Sequence, residues 1–175
     1  MKHPDAADPP RHRANKKRGH GSWDNDRPPV LGVVGRDSGK VRLEVVKRGS
    51  REQLLPRVLA CTAPGAAVNS DEWRAYGRLA EHGRPHATVC HDPARPGGPE
   101  YARDDDGDGV REVHCNTMEG LWTGLRNFLR TFRGVAKKYL QQYVAIFEWT
   151  CNIKAVTVDF LRAMLGLKPS TYRGT

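Results

Sequence analysis

Apolar positions begin to recur at Val30. Val30-Leu31-Gly32-Val33-Val34 is a continuous run, and Val41, Leu43 and Val45 then alternate with Arg42 and Glu44. Arg36-Asp37-Ser38-Gly39-Lys40 between them is a turn sequence, so the segment predicts a β-hairpin. Ser50 with Gln53 predicts a capped helix, whose buried face is Leu54, Leu55, Val58 and Leu59 and which Pro64-Gly65 ends. Ala66–Ser70 predicts a short buried strand with Asp71 at its C-terminal end. Glu72–Tyr76 opens a short helix, and His86–Cys90 is a second short strand. Residues 92–112, rich in Pro, Gly and Asp, predict a long polar loop. Helices follow at about 117–132 and 136–150 with Gly134 as the break, and a last one near 156–165 stops before Lys168-Pro169.

The order is hairpin, helix, strand, helix, strand, long loop, helices. It predicts an α/β fold of the ribonuclease H-like layout, a mixed sheet flanked by helices. That layout normally has three meander strands, and only two are visible, so the first strand is expected to be missing. Residues 1–29 read differently: prolines interrupt them, no apolar period runs through them, and Arg11, Arg13, Lys16, Lys17 and Arg18 form a basic cluster. They are expected to be an arm, either solvated or in contact with phosphates. Residues 30–155 form the main domain and 156–175 a C-terminal helix and tail. No internal repeat is visible.

At 175 residues and 19.6 kDa, the chain is long enough to bury a core without covalent staples. No stretch approaches the ~18 apolar residues of a membrane span, and the N-terminus lacks the apolar core of a signal peptide. The four cysteines form no C-x-x-C pair, which argues against a zinc ribbon and a disulfide framework and for a reducing cytoplasm. Charge changes the picture most. Lys and Arg number 29 against 20 Asp and Glu, a net +9 with a pI near 9.7. Such a surplus favours a polyanionic partner, above all nucleic acid.

Candidate chemistry sits at two places. Asp71 stands where α/β sheets place their sites, though a carboxylate there also suits a helix N-cap. His114-Cys115-Asn116-Thr117-Met118-Glu119-Gly120-Leu121-Trp122 opens a helix with Glu119 in its first turn, a position the helix dipole favours. Arg126, seven residues on, falls on nearly the same face. A carboxylate with a cation two turns away suits phosphodiester chemistry, in which hard Mg²⁺ ions take oxygen ligands. A solvated helix face would look similar. Asp104–Gly109 also fits the opening of a calcium loop, with oxygens at positions 1, 3 and 5 and Gly at 6, but position 12 is Cys115. It therefore reads first as a solvated acidic loop. His86, His91, His114, Cys90 and Cys115 fit no standard zinc spacing.

Ser70-Asp71-Glu72-Trp73-Arg74-Ala75-Tyr76 and His114 through Trp122 together resemble bacterial insertion-sequence transposases of the DDE type. The resemblance is to the subgroup with a T-D-E-W-x-x-Y strand end and an H-x-N-T-x-E-G-x-W helix start. Val30–Gly39, Asn127-Phe128-Leu129-Arg130 and Tyr139–Asn152 extend it over about residues 20–155. The resemblance implies a ribonuclease H-like fold, DNA strand transfer and Mg²⁺ or Mn²⁺. Asp71 matches the second acid, Glu119 the third, and Arg126 the basic residue that follows it. Asn116 is an alternative third ligand. The family's first Asp has no match: Asp5, Asp8, Asp24 and Asp26 lie in polar sequence and Asp37 in the hairpin turn. The chain is therefore expected to be an N-terminally truncated catalytic domain, inactive or weakly metal-binding as it stands. It is expected to bind double-stranded DNA at transposon ends and target through Lys16, Lys17, Arg18, Arg126 and Arg130. It is also expected to associate with itself through the sheet edge left bare. The alternatives are a nucleic-acid-binding module without catalysis, and a relic with neither activity.

Overall fold

The computed structural model describes residues 21–153 and 156–167. Two valine-rich strands, β1 (Val30–Val34) and β2 (Val41–Val45), pair antiparallel from Val30↔Val45 to Val34↔Val41. Their turn closes through Gly35 N–H to the Lys40 carbonyl at 2.9 Å, with Gly39 at φ 61°. The alternation along each strand sends side chains to opposite faces, and both faces are covered. Leu31 and Val46 pack with Leu54, Leu55 and Val58 of α1 (Arg51–Cys61), joined by Ala75 and Leu79. Val41 and Leu43 pack on the other face with Leu125 of α2 (Asn116–Arg130) and Val144 of α3 (Leu140–Asn152).

The expected capping box at the start of α1 does not form. Ser50 makes no side-chain cap bond, and the Gln53 Oε1 accepts the N–H groups of Lys47 and Arg48 at 3.0 and 3.4 Å. Gln53 thus holds the chain entering the helix rather than the Ser50 backbone. The Arg84 guanidinium donates to the carbonyls of Leu59 and Thr62 at 3.2 and 2.8 Å, a cation at the helix C-terminus where the dipole favours it.

β3 (Val68–Asp71) and β4 (His86–Val89) pair in parallel from Val68↔His86 to Asp71↔Val89. Two 3₁₀ turns, Arg74–Tyr76 and Ala80–His82, stand where one short helix is expected. The long polar loop carries a strand after all. Ala102–Arg103 (β5) pairs antiparallel with Val113–His114 (β6), so the loop folds into a hairpin leading directly to α2. Gly134, at φ 123°, breaks the chain between the next helices as expected. α3 begins later than predicted, after a 3₁₀ turn at Lys137–Tyr139, and α4 covers Val158–Met164.

Among the described residues the strands therefore make three two-stranded sheets within a mixed α/β fold, where the sequence predicts one mixed sheet. The outer edges of the β1–β2 ribbon differ. Along β2, α3 supplies side chains in place of a neighbouring strand: Gln141 Oε1 accepts from Val45 N–H at 2.7 Å and Glu148 Oε2 from Leu43 N–H at 2.5 Å. Asn152 bonds both backbone groups of Val41. Among the described residues β1 has no such cover. Residues 22–26, predicted as part of the arm, are tied to the body by a Ser22↔Arg48 bridge and by Lys137 Nζ on Asp26 at 2.8 Å.

Candidate functional site

The outer edge of β1, the outer edge of β3, the C-terminal end of α1 and the first turns of α2 enclose a groove of about 1120 Å³. It brings Asp71, Glu119 and Arg126 to one surface. Asp71 is exposed at the end of β3, and its Oδ1 accepts the Trp73 N–H at 3.2 Å, a turn that starts the next segment. Glu119 lies in the first turn of α2 with its side chain 52% exposed, and its Oε1 is 3.5 Å from His91 Nε2. His91 in turn lies against the Tyr101 ring at 5.3 Å.

Electrostatics shows that the two carboxylates share a neighbourhood. The Cys115 thiol, which precedes α2, is pushed up to about 11 by burial and then by the negative charges of Asp71 and Glu119, against the opposing pull of Arg36. The Tyr76 hydroxyl is pushed up to about 12 by burial, with Asp71 and Cys115 adding to it. Burial also lowers the His86 imidazole, whose Nε2 is 2.8 Å from Ser70 Oγ.

The start of α2 is fixed by a clamp. Arg36, at the end of the β1 turn, donates to the carbonyl of Glu112 and, at 2.6 Å, to that of His114. Asn69 Nδ2 reaches the same Glu112 carbonyl at 3.2 Å. β1 and β3 therefore both hold β6, and β6 delivers α2. Sequence reasoning placed Arg36 in a turn and gave Asn69 no role, because no local pattern marks a contact made 76 or 43 residues away. His91 was grouped only with possible zinc ligands. Met118 and Trp122 seat α2 on β1 at Gly32, where a Cβ would meet the Met118 Cε at 2.3 Å.

The sequence matches the ISXO2-like transposase domain over residues 5–152. The chain belongs to this transposase family. It is also similar to a protein of Halobacterium salinarum described as an uncharacterized protein in transposable element ISH50, 28% identical over 141 residues. That alignment covers 80% of this chain and 44% of the relative, so the chain spans less than half of the relative's length. No solved structure matches the chain.

The resemblance implies Mg²⁺ or Mn²⁺, and the two acids it assigns, Asp71 and Glu119, both line the groove. Asp71 and Glu119 are hard oxygen donors in one groove. Among the described residues, no third His, Cys, Asp or Glu joins them in a cluster of metal-binding size. The group that does gather at that scale is Asp104, Asp106, Asp108 and Glu112, whose ligand atoms lie within 4.8 Å of one another and could hold a metal ion. The fourth member, Glu112, stands at position 9 of the calcium-type loop, not at position 12. The loop's own backbone satisfies part of the cluster, whereas Glu112 Oε2 is buried with no hydrogen-bond partner among the described residues. Asp104 accepts from Gly107 and Gly109 N–H, which lowers its pKa, and Glu112 Oε1 accepts from Asp105 N–H at 2.9 Å. The histidines and cysteines weighed for zinc form no metal-sized group among the described residues.

The remaining predicted residues separate. Asn116 is exposed at the first position of α2 and does not line the groove, whereas Glu119 does. Arg126 lines the groove and makes no ion pair among the described residues, while Arg130 lies outside it and donates to Asn127 Oδ1 at 3.2 Å. Lys16, Lys17 and Arg18 lie outside the described residues. No helix among the described residues is long and apolar enough to cross a membrane.

Proposed function

We propose that this chain is the catalytic-type part of an insertion-sequence transposase, of ribonuclease H-like arrangement, acting on DNA by phosphodiester cleavage and strand transfer. The observation that carries this reading is the meeting of Asp71, Glu119 and Arg126 on one groove, although 48 residues separate the two acids. Asp71 and Glu119 would hold Mg²⁺ or Mn²⁺, which when bound supplies activation of the attacking hydroxyl and stabilisation of the leaving oxygen. Arg126 holds the phosphodiester, as a cation two helical turns from Glu119. His91 restrains the Glu119 side chain, and the neutral Cys115 thiol keeps a further negative charge away from the pair.

Asp37 and Glu112 also line the groove, but among the described residues no third carboxylate gathers with Asp71 and Glu119 at metal-ligand separation, so the chain binds the ion weakly, since Mg²⁺ requires near-octahedral oxygen geometry. The same incomplete donor set around Asp71 and Glu119 favours the second reading, DNA binding without catalysis. One experiment separates them: Mn²⁺ titration and Mn²⁺-dependent nicking of a transposon-end duplex. Weak Mn²⁺ binding lost in both Asp71→Asn and Glu119→Gln supports the assignment. Nicking that survives both changes overturns it, and DNA binding with no Mn²⁺ response establishes the binding-only reading.

A further inference from the structure

Asp104, Asp106 and Asp108 recur at every second position of the loop between β5 and β6, and Glu112 folds back onto them. Their ligand oxygens lie within 4.8 Å of one another, yet among the described residues no Lys, Arg or His pairs with any of the four. Arg103, the nearest cation before them in sequence, is spent on Glu100, Asp105 and the Thr88 carbonyl. Like charges held this close repel unless one is protonated or a cation joins them. A second observation comes from Glu112. Its Oε1 accepts the Asp105 N–H, but its Oε2 is buried and meets no donor among the described residues. A buried carboxylate oxygen without a partner is costly. A merely solvated acidic loop gives no reason for that oxygen to be shut away from water, whereas a cation held among the four carboxylates does.

We propose that Asp104, Asp106, Asp108 and Glu112 form a Ca²⁺ site, separate from the pair Asp71 and Glu119. Counted from Asp104, the carboxylates stand at positions 1, 3, 5 and 9, and Gly109 turns the chain at position 6 with φ 88°. Val110 holds position 7, where loops of this kind supply a backbone carbonyl. Ca²⁺ takes about six to eight oxygen ligands in adaptable geometry, whereas Mg²⁺ keeps several waters and uses one or two carboxylates. Four carboxylates on one irregular loop therefore suit Ca²⁺. Position 12 is Cys115 rather than a bidentate Glu, which puts the dissociation constant at the weak end, roughly 10⁻⁴–10⁻³ M. The Glu112 carbonyl is already held by Arg36 from the β1 turn and by Asn69 of β3. An ion on the Glu112 side chain thus braces β6, the strand that leads into α2. The inference uses neither Asp71 nor Glu119, so it stands or falls separately from their reading.

The test is calorimetric titration of CaCl₂ into the full chain, first stripped of metal with a chelator and dialysed. One ion binds per chain, and MgCl₂ binds about tenfold more weakly or worse. Asp106→Asn and Glu112→Gln each weaken Ca²⁺ binding by about tenfold or more, while the double variant Asp71→Asn/Glu119→Gln binds Ca²⁺ as the parent does. Urea midpoints give a second readout. Without the ion, Asp106→Asn has a midpoint equal to or above the parent's, because one repelling charge is gone. With saturating CaCl₂ the parent's midpoint rises and that of Asp106→Asn does not. Hydrogen exchange at Val113 and His114 slows with Ca²⁺ in the parent alone. Asp108→Asn replaces Asp106→Asn if the latter fails to fold. No binding at about 10 mM CaCl₂, well above the expected constant, overturns the proposal. So does binding that persists in both loop variants, or binding that only the double variant loses, which would place the ion on Asp71 and Glu119. Mg²⁺ held as tightly as Ca²⁺ overturns the identity of the ion.

Discussion

Asn152 satisfies both backbone groups of Val41: its Oδ1 accepts the N–H at 2.8 Å and its Nδ2 donates to the C=O at 2.7 Å. A side-chain amide 111 residues away thereby does what a neighbouring strand would do. Glu148 and Gln141 repeat the acceptor half of this along the same helix, and Glu148 also pairs with Arg42 at 3.1 Å. Replacing Asn152 by Leu leaves a partly buried donor and acceptor unpaired, which costs about 1–3 kcal/mol per group. The urea midpoint should fall with the slope unchanged. Asn152→Asp keeps the acceptor and should lose less than Asn152→Leu.

Gly32 sets how closely α2 approaches β1. An added Cβ would stand 2.3 Å from Met118 Cε and 2.8 Å from Trp122 Cζ3's neighbour Cη2, so Gly32→Val forces the helix to shift. Overpacking of this kind costs typically about 1–3 kcal/mol. The expected result is a lowered melting temperature together with a changed near-ultraviolet signal from Trp122. Gly120, whose added Cβ meets nothing within 4 Å, is the control position on the same helix.

These contacts explain what the sequence could and could not show. The hairpin, α1 and the helix carrying Glu119 were legible because each is written in a local period: Val41, Leu43 and Val45 at period two, Leu121, Leu125 and Phe128 along one helical face. Asp71 at a strand end was legible for the same reason. Three features were not. The capping box at Ser50 failed because Gln53 found better donors in Lys47 and Arg48. β5 was hidden because two residues carry no period. Arg36 on β6 and Asn152 on β2 are long-range polar contacts, fixed by the packing of whole elements, with no trace in either neighbourhood. The single mixed sheet was expected from element order alone, but order cannot show whether β1 and β3 touch.

Cys115 should report on the carboxylates around it. Its thiol is raised from an ordinary value of 9.0 to about 11, first by burial and then by Asp71 and Glu119. Only the thiolate alkylates, so modification by iodoacetamide, followed by mass spectrometry of the Cys115 peptide, should reach half its maximal rate near pH 11. Asp71→Asn and Glu119→Gln should each move that midpoint to lower pH. A midpoint insensitive to both would separate Cys115 from the pair.

The same shifts fix the direction of alkaline instability. A thiol whose folded value is raised favours the fold fully below its unfolded value near 9.0, and that contribution is lost as pH rises through about 11. Tyr76 behaves alike between its ordinary 10.0 and about 12. Urea midpoints should therefore fall progressively above pH 9, and Cys115→Ser should make the fall shallower, leaving the contributions of Tyr76 and of Cys61 and Cys90, whose thiols are also raised.

Salt should govern DNA affinity. The net charge of +9 predicts binding dominated by phosphate contacts, with log K falling against log salt at a slope of about −0.9 per phosphate neutralised on duplex DNA. Arg126 lines the groove without an ion-pair partner among the described residues, so its charge is available to a phosphate. Arg126→Ala should reduce the slope by about one unit and weaken binding equally across unrelated duplexes. Arg130 lies outside the groove with its guanidinium on Asn127. Arg130→Ala should weaken binding too, but it should leave unchanged the protection from cleavage that bound DNA gives the groove-lining segment 117–122. If Arg126→Ala leaves the salt slope untouched, the groove is not where the backbone of the DNA runs, and the basic surface elsewhere on the chain carries the contact.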